Sequence, residues 1–415
     1  MITAYLETHA GRLAGILGDL VRIPSENRPP GGAERACQEY VAGFLRKLGW
    51  DVDVYAPTDV PGIEEHPLYW PGRDYTGRCN VTARRAGRGQ GRSLLLSGHV
   101  DTVPAGSRPW TRPPFGAVRE GNRLYGRGSM DMKAGLAAAL WLAEALHAMR
   151  IELGGDLLVE SVVDEEFGGV NGTLAARLRG HRADAAIICE PTSLRIAPAQ
   201  RGGRLAHVTL SAPGDIFADQ QGGVISQLRC LLDALPAFAA AREAGAPRHP
   251  YYEHLAARAP VAVTCVSSGA WGFGEPIAVP VSCRVEIFMQ AMPGETREEI
   301  DAQFLAWLEE TAAGFPARPE VAYPIRWLPA STLTPDAALI RELAESARAV
   351  LGREPAVEGM EAPCDMYVFH QMGIPAVLWG ARGGNAHAPD EYVELDSALE
   401  AAKVLGDFVV RWCRG

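Results

Sequence analysis

Short apolar runs alternate with helical patterns through the first two hundred residues, and this alternation restricts the fold more than any other feature of the sequence. The runs at residues 94–96, 157–163 and 185–188 have the length and composition of buried strands, and residues 133–150 show the periodicity of a helix. Buried strands separated by helices are typical of a largely parallel sheet with helices on both faces. The sequence therefore predicts an α/β fold.

The same alternation returns near the end of the chain. A helix is predicted at residues 337–351, a strand at 376–379 and a closing helix at 397–412. A chain of 415 residues also exceeds what one hydrophobic core normally organises, so two domains are expected. We expect residues 1–200 and 324–415 to form one catalytic domain built from both ends of the chain.

Residues 201–323 follow a different pattern. Residues 205–210 and 280–289 alternate between apolar and polar side chains, as half-exposed strands do, whereas residues 223–235 and 295–310 have helical periodicity. The sequence predicts a smaller, inserted α+β domain here.

Composition excludes several classes of partner and compartment. The chain has 40 Lys and Arg against 50 Asp and Glu, a formal charge of −10, and no basic face for nucleic acid. No stretch is expected to span a membrane, and residues 1–25 resemble an amphipathic helix rather than a secretion signal. The eight cysteines are scattered singly, which favours reduced thiols in the cytoplasm.

Histidine and acidic residues stand at or just after the predicted strand ends. They are His99, Glu165, Glu166, Glu190 and His387. In an open α/β sheet, ligands bind outside the carboxyl ends of the strands, so these residues are expected to share one site. Taken singly, either histidine would more often be a structural residue. The acidic run at 164–166 alone would often be a solvated loop or the start of a helix. Their combination favours a hydrolytic metal centre.

Two divalent ions roughly 3.5–4 Å apart need a bridging carboxylate and His, Asp or Glu ligands around each ion. Asp131 is the candidate bridge. His99 and Glu190 then complete one ion, and Glu166 and His387 complete the other. These ligands suit two Zn²⁺ ions, with Co²⁺ or Mn²⁺ as alternatives.

Glu165 and Asp101 have predicted roles beside the metal ligands. Glu165 adjoins a ligand without being assigned as one, so it is placed to take a proton from water as a general base. Asp101 lies two residues beyond His99, so in an extended chain its side chain points to the same face. We expect its carboxylate to accept the second ring N–H of His99.

Five blocks of this sequence carry a resemblance to a known family. They are Gly98-His99-Val100-Asp101-Thr102-Val103-Pro104, Gly126-Arg127-Gly128-Ser129-Met130-Asp131-Met132-Lys133, Asp164-Glu165-Glu166-Phe167-Gly168-Gly169, Cys189-Glu190-Pro191-Thr192 and Ala386-His387-Ala388-Pro389-Asp390-Glu391. In this order they resemble the dinuclear zinc peptidases and deacylases, which include acetylornithine deacetylase, succinyl-diaminopimelate desuccinylase, aminoacylases and carboxypeptidase G. The resemblance runs from about residue 24 to about residue 395 and is weaker in the inserted domain.

The resemblance implies the same ligands, the same general base and a helper role for Asp101. It also implies a non-proline cis peptide after Asp131. The inserted domain would act as a lid that often mediates dimerisation, so a homodimer is a candidate assembly.

Three positions depart from the family's pattern and bear on the substrate. Asp215 stands nearest the position of a lid histidine, and Gln290 and Tyr367 stand where arginines often bind a substrate carboxylate. The substrate is therefore expected to lack an α-carboxylate. Arg382, close to His387 in sequence, is the candidate for a different anchor.

These observations lead to ranked functional hypotheses. The first is a metal-dependent amidohydrolase, a deacylase that removes an acyl or formyl group from a small amide. The second is a dipeptidase or carboxypeptidase, which would prefer substrates with a free α-carboxylate. Hypotheses of another class are non-hydrolytic acyl transfer and a ligand-binding protein that retains the metal site; retention of Glu165 argues against the latter.

Overall fold

The computed structural model describes residues 1–169, 171–214, 222–269 and 279–415. The chain divides into two compact units. Unit 1 contains Met1–Ala199, Thr332–Met360 and Cys364–Gly415, and unit 2 contains Gln200–Ser331 and Glu361–Pro363.

Helices and strands alternate along both ends of the chain. Among the described residues the helices are α1 (Ile2–Thr8), α2 (Ala10–Arg22), α3 (Arg35–Lys47), α4 (Lys133–Ala148), α5 (Asn171–Leu178), α6 (Val224–Gly245), α7 (Arg297–Thr311), α8 (Ala338–Leu351), α9 (Met366–Gln371) and α10 (Leu395–Trp412). The strands are β1 (Asn27–Arg28), β2 (Gly31–Gly32), β3 (Asp51–Tyr55), β4 (Asn80–Arg85), β5 (Leu94–His99), β6 (Val118–Glu120), β7 (Arg123–Tyr125), β8 (Leu157–Val162), β9 (Ala185–Ile188), β10 (Ala199–Gln200), β11 (Gly202–Ser211), β12 (Val261–Ser268), β13 (Ser282–Ala291), β14 (Glu320–Ala322), β15 (Ser331–Thr332), β16 (Ala376–Leu378), β17 (Gly383–Gly384) and β18 (Tyr392–Glu394).

Unit 1 is organised by a six-stranded sheet in the order β16-β9-β5-β8-β4-β3. The first four strands are parallel, and β4 and β3 complete the sheet with antiparallel pairings. The prediction of an α/β fold with a mostly parallel sheet is confirmed. The chain leaves β5 for β8 on one side and then returns to β9 on the other, and such a reversal is where open α/β sheets bind ligands.

Helices cover both faces of this sheet. Leu95 of β5 packs in a core cluster with Met366 and Phe369 of α9. Side chains alternate along a strand, so Gly98 points to the opposite face, where an added Cβ would meet Met132 and Leu136 at the start of α4. Each face is therefore sealed by a helix from a different part of the chain.

A second sheet of unit 1 is antiparallel, in the order β17-β18-β7-β6. Its central pair joins β18 to β7, with Tyr392 opposite Tyr125. This pairing brings the segment after β7 next to the segment before β18, although about 260 residues separate them in the chain.

Unit 2 is a four-stranded antiparallel sheet, in the order β12-β13-β11-β14, with helices α6 and α7. Alternate residues of β11 and β13 pack with Phe238, Ile300 and Phe304 in its core. The structure places residues 324–331 in unit 2 rather than in the catalytic unit, because Leu328 exchanges two backbone hydrogen bonds with Gly203.

Helix α6 corrects one detail of the sequence analysis. Among the residues that the structure describes, it is the one helix long and apolar enough to cross a membrane by length and composition alone. Sequence analysis expected no stretch long and apolar enough to span a membrane. It predicted a helix at 223–235, which is shorter than α6. Leu231 and Phe238 of α6 lie in the core of unit 2.

Candidate metal centre

Five predicted ligands converge at the carboxyl edge of the parallel strands. His99 is the last residue of β5, Glu166 follows β8, and Glu190 follows β9. Asp131 precedes α4, and His387 lies in the connection between β17 and β18. Parallel strands end at the same edge of a sheet, so their following residues meet there.

Close packing of α4 brings Asp131 to this edge. A Cβ added at Gly135 would lie 1.9 Å from the carbonyl oxygen of Cys189, so only glycine permits this approach. The peptide bond between Asp131 and Met132 is cis, as the family resemblance implied.

The Asp131 carboxylate lies between the two histidines. Its Oδ1 is 3.3 Å from His99 Nε2, and its Oδ2 is 3.3 Å from His387 Nε2. Glu190 Oε1 is 3.6 Å from His99 Nε2, and Glu166 Oε2 is 2.9 Å from His387 Nε2. The donors thus form two groups that share Asp131, which is the arrangement expected of a bridging ligand.

The donor chemistry fits divalent cations. Ligand atoms of His99, Asp131 and Glu166 all lie within 4.8 Å of one another. Burial raises the pKa of Glu190 to about 8, and burial together with the charge of Asp131 raises the pKa of Glu166 to about 7. Buried carboxylates that are hard to ionise call for a compensating positive charge, and a metal ion supplies one.

Hydrogen bonds also shift the pKa values of His387 and of Asp131. The hydrogen bonds that the His387 ring donates to the carboxylates of Asp131 and Glu166 raise its pKa to about 10. Burial opposes ionisation of Asp131, but its bonds with His387 and His99 outweigh this and lower its pKa. Protons and divalent cations therefore compete for these side chains.

Glu165 lies beside this group, with Oε2 3.8 Å from His99 Nε2. Burial raises its pKa well above the ordinary value; His99 opposes the shift, and Asp365 and the other carboxylates add to it. A buried glutamate with a raised pKa is suited to accept and return a proton near neutral pH.

Asp101 acts differently from the expectation. The Nδ1 atom of His99 lies 2.9 Å from the backbone carbonyl oxygen of Asp101, while the nearer carboxylate oxygen is 3.6 Å away. The carbonyl can only accept, so Nδ1 donates, and Nε2, which faces Asp131, is the ring nitrogen placed to bind a metal. Oδ2 of Asp101 instead accepts the backbone N–H groups of Glu165 at 3.0 Å and Glu166 at 3.1 Å. Asp101 therefore positions the acidic turn.

Sequence analysis missed a buried network behind this turn. Asp164, with φ 68°, accepts hydrogen bonds from Tyr75 Oη at 2.6 Å, from Asn27 Nδ2 at 3.1 Å and from Arg73. Asn27 Nδ2 also donates to Asp101 Oδ2 at 2.8 Å. Asp164 was visible within the acidic motif, whereas Asn27, Arg73 and Tyr75 come from segments with no local signal.

The predicted substrate-binding residues are placed as follows. The Nε atom of Arg382 donates to Glu394 at 3.1 Å, so this arginine is already paired. Tyr367 is 1% exposed and packs in an apolar cluster with residues of α5, so it does not offer a surface to substrate. Gln290 lies in unit 2, where its Nε2 donates to the carbonyl oxygen of Glu361. Asp215 lies outside the described residues.

The chain is similar to known proteins over nearly its whole length. The chain is 26% identical over 432 residues to an N-formyl-4-amino-5-aminomethyl-2-methylpyrimidine deformylase of Bacillus subtilis, covering 98% of this chain and 96% of that protein. It is 27% identical over 375 residues to an acetylornithine deacetylase of Salmonella typhimurium, covering 90% of each.

Solved structures show the same fold. Human carnosine dipeptidase 1 superposes with a TM-score of 0.78 at 15% identity, covering 99% of this chain and 98% of that chain. A metallo-carboxypeptidase from Sulfolobus solfataricus gives 0.72 at 20% identity, covering 95% and 98%. A family model matches residues 95–411, and the chain therefore belongs to peptidase family M20/M25/M40.

Proposed function

We propose that this protein is a metal-dependent amidohydrolase that removes an acyl or formyl group from a small amide. The observation that carries the proposal is the Asp131 carboxylate between His99 and His387, with Glu165 adjacent. The sequence relatives named as a deformylase and a deacetylase support this choice of reaction. A structural relative described as a dinuclear metal-binding peptidase supports two ions, and the His and carboxylate donors favour Zn²⁺, with Co²⁺ or Mn²⁺ as alternatives.

The chain's own residues perform the proton transfers. Bound ions supply Lewis acidity toward the substrate carbonyl. Glu165 takes a proton from the attacking water and returns it to the departing amine nitrogen, and its raised pKa suits both steps. Asp101 accepts a hydrogen bond from the backbone N–H of Glu165, and this bond keeps the Glu165 carboxylate in position next to His99.

The substrate is proposed to lack a carboxylate beside the scissile amide. Arg382, the candidate anchor, is paired with Glu394, and Tyr367 is buried at a position where the family often has arginine. A carboxylate bound at Arg382 would have to share the guanidinium charge with Glu394, at a cost in binding free energy. Neutral N-formyl or N-acyl compounds avoid this cost.

Paired substrates test this proposal. The metal-loaded enzyme is assayed with N-formyl and N-acetyl amides that are identical except for a free α-carboxylate. We expect a higher kcat/KM for the neutral member of each pair. We also expect that Arg382→Gln changes kcat/KM for either member by no more than about twofold. A preference for carboxylate substrates that disappears in Arg382→Gln would instead support the dipeptidase or carboxypeptidase hypothesis. Turnover only with an added amine acceptor would support acyl transfer.

Unit 2 is the proposed surface for a homodimer, as the resemblance suggested. Strand β12 is at the edge of its sheet, and Val266 on this strand is 44% exposed. Ile225 and Leu232 of α6 are also exposed apolar residues. Sedimentation equilibrium of the protein and of Val266→Lys tests this: a monomeric wild type would exclude the dimer. We propose a cytoplasmic location, which the single scattering of the eight cysteines along the sequence supports.

A further inference from the structure

Glu391 closes the motif that contains His387 but has no role in the chemistry above. Its side chain is 1% exposed, and both carboxylate oxygens accept hydrogen bonds. Oε2 accepts from Arg127 NH1 at 2.7 Å and from the Gly128 N–H at 3.1 Å. Oε1 accepts from the N–H groups of Met130 at 3.0 Å and Asp131 at 3.1 Å. We infer that Glu391 is a positioning residue that holds the Asp131 carboxylate between the two histidines.

The segment that precedes Asp131 needs an external partner. Residues 126–131 form turns, so most of their N–H groups have no partner in a helix or strand ladder, although residues 126–129 are buried. A buried N–H without a partner costs free energy comparable to a lost hydrogen bond. Glu391 supplies three of the missing acceptors with its side chain and a fourth with its carbonyl oxygen, which accepts from the Gly126 N–H at 2.8 Å.

This arrangement couples two distant ligands. Glu391 lies four residues after His387 and directly precedes β18, whose partner β7 leads into residues 126–131. The same carboxylate therefore connects the segment that carries His387 to the backbone of Asp131. The Glu391 carboxylate bonds with Arg127 and with backbone N–H groups, including that of Asp131, so it acts through the position of Asp131 and is not itself a catalytic residue.

The inference rests on the proposed function in one respect, namely that this donor group binds metal. Glu391→Gln keeps the shape of the side chain but replaces one acceptor oxygen with an NH₂ group that faces N–H donors. Residues that orient metal ligands typically change metal affinity by about 10- to 100-fold when mutated. We expect Zn²⁺ affinity to fall by this factor, kcat at saturating Zn²⁺ to fall by about tenfold or more, and KM to stay within about twofold.

Glu295→Gln is the matched control. Glu295 is a buried carboxylate of unit 2 that accepts from Arg242 NH1 at 2.7 Å and from the Met292 N–H at 2.8 Å. Its replacement removes the same kind of interaction within unit 2, which contains none of the five ligands. For Glu295→Gln we expect a lower melting temperature, with Zn²⁺ affinity and kcat unchanged. If Glu391 had only a structural role, Glu391→Gln would also lower the melting temperature and leave Zn²⁺ affinity and kcat unchanged.

The experiment titrates metal-free wild type and variants with Zn²⁺ in competition with a chromogenic chelator. Wild-type protein that binds no Zn²⁺ would overturn the proposed function, whereas Glu391→Gln with wild-type affinity and kcat would overturn only the positioning role. If Glu391→Gln does not fold, Arg127→Gln decides, because it removes one donor and leaves the three backbone bonds of the side chain. That variant is expected to weaken Zn²⁺ binding severalfold, and unchanged affinity would overturn the inference.

Discussion

Loading this site with two divalent metal ions at pH 7 should release at least about two protons. In the metal-free protein, the pKa of His387 is raised to about 10 by its hydrogen bonds with Asp131 and Glu166. Burial raises the pKa of Glu190 to about 8 and that of Glu166 to about 7. The site therefore holds protons where ordinary glutamates, with a pKa of 4.5, would hold none.

The magnitude follows from these three groups. At pH 7, His387 carries its proton fully, Glu190 carries its proton most of the time, and Glu166 about half of the time. Metal ligation requires all three to be deprotonated. It also requires loss of the proton of His99, whose pKa is raised well above its ordinary value because its burial is outweighed by the surrounding carboxylates, so binding expels at least about two protons. The pKa values are raised in the metal-free state, so the metal affinity must increase as pH rises through them. Two released protons correspond to about a hundredfold tighter binding per pH unit near neutrality.

Isothermal titration of metal-free protein with Zn²⁺, in buffers of different ionisation enthalpy, measures this release directly. The slope of apparent enthalpy against buffer ionisation enthalpy is the number of protons. Glu166→Gln is the internal comparison, since it should reduce the release by about half a proton. Release below about half a proton, with affinity independent of pH between 6 and 8, would refute the argument that burial keeps these ligands protonated.

Three further outcomes are expected. Glu165→Gln should retain Zn²⁺ in elemental analysis while kcat falls by roughly 10²- to 10⁴-fold, and near-normal turnover would remove Glu165 from the mechanism. Asp101→Asn should weaken Zn²⁺ binding by roughly 10- to 100-fold, measured by chelator competition, because Asp101 holds two backbone N–H groups of the acidic turn. The matched control Glu243→Gln changes a carboxylate of unit 2 that also accepts two backbone N–H groups, and this variant should bind Zn²⁺ normally; equal effects would contradict the specific role of Asp101. Phe304→Ala should destabilise unit 2 by about 3–5 kcal/mol in urea unfolding, because this side chain is fully buried, whereas Leu305→Ala at an exposed position should cost less than about 1 kcal/mol. Similar losses for both variants would show that the core assignment is wrong.

Much of the fold was predictable because its signals are local. The strand at 94–96 and the helix at 133–150 are visible as an apolar run and a helical periodicity, and they correspond to β5 and α4. The extent of unit 2 was not visible in the same way. Residues 324–331 join it through backbone hydrogen bonds between Leu328 and Gly203, and backbone pairing between distant segments leaves no mark on side-chain composition.

The sequence by itself determined the identity of the candidate ligands. A histidine or carboxylate directly after a buried strand must lie at the sheet's carboxyl edge, so His99, Glu166 and Glu190 could be assigned from position and residue type. What those side chains touch was decided only by the tertiary structure. The Asp101 carboxylate holds the acidic turn rather than His99, and Arg382 is paired with Glu394 rather than free for substrate. The physical reason is that a hydrogen bond or ion pair depends on distance in space, and residues far apart in the chain become neighbours only when the whole fold has formed.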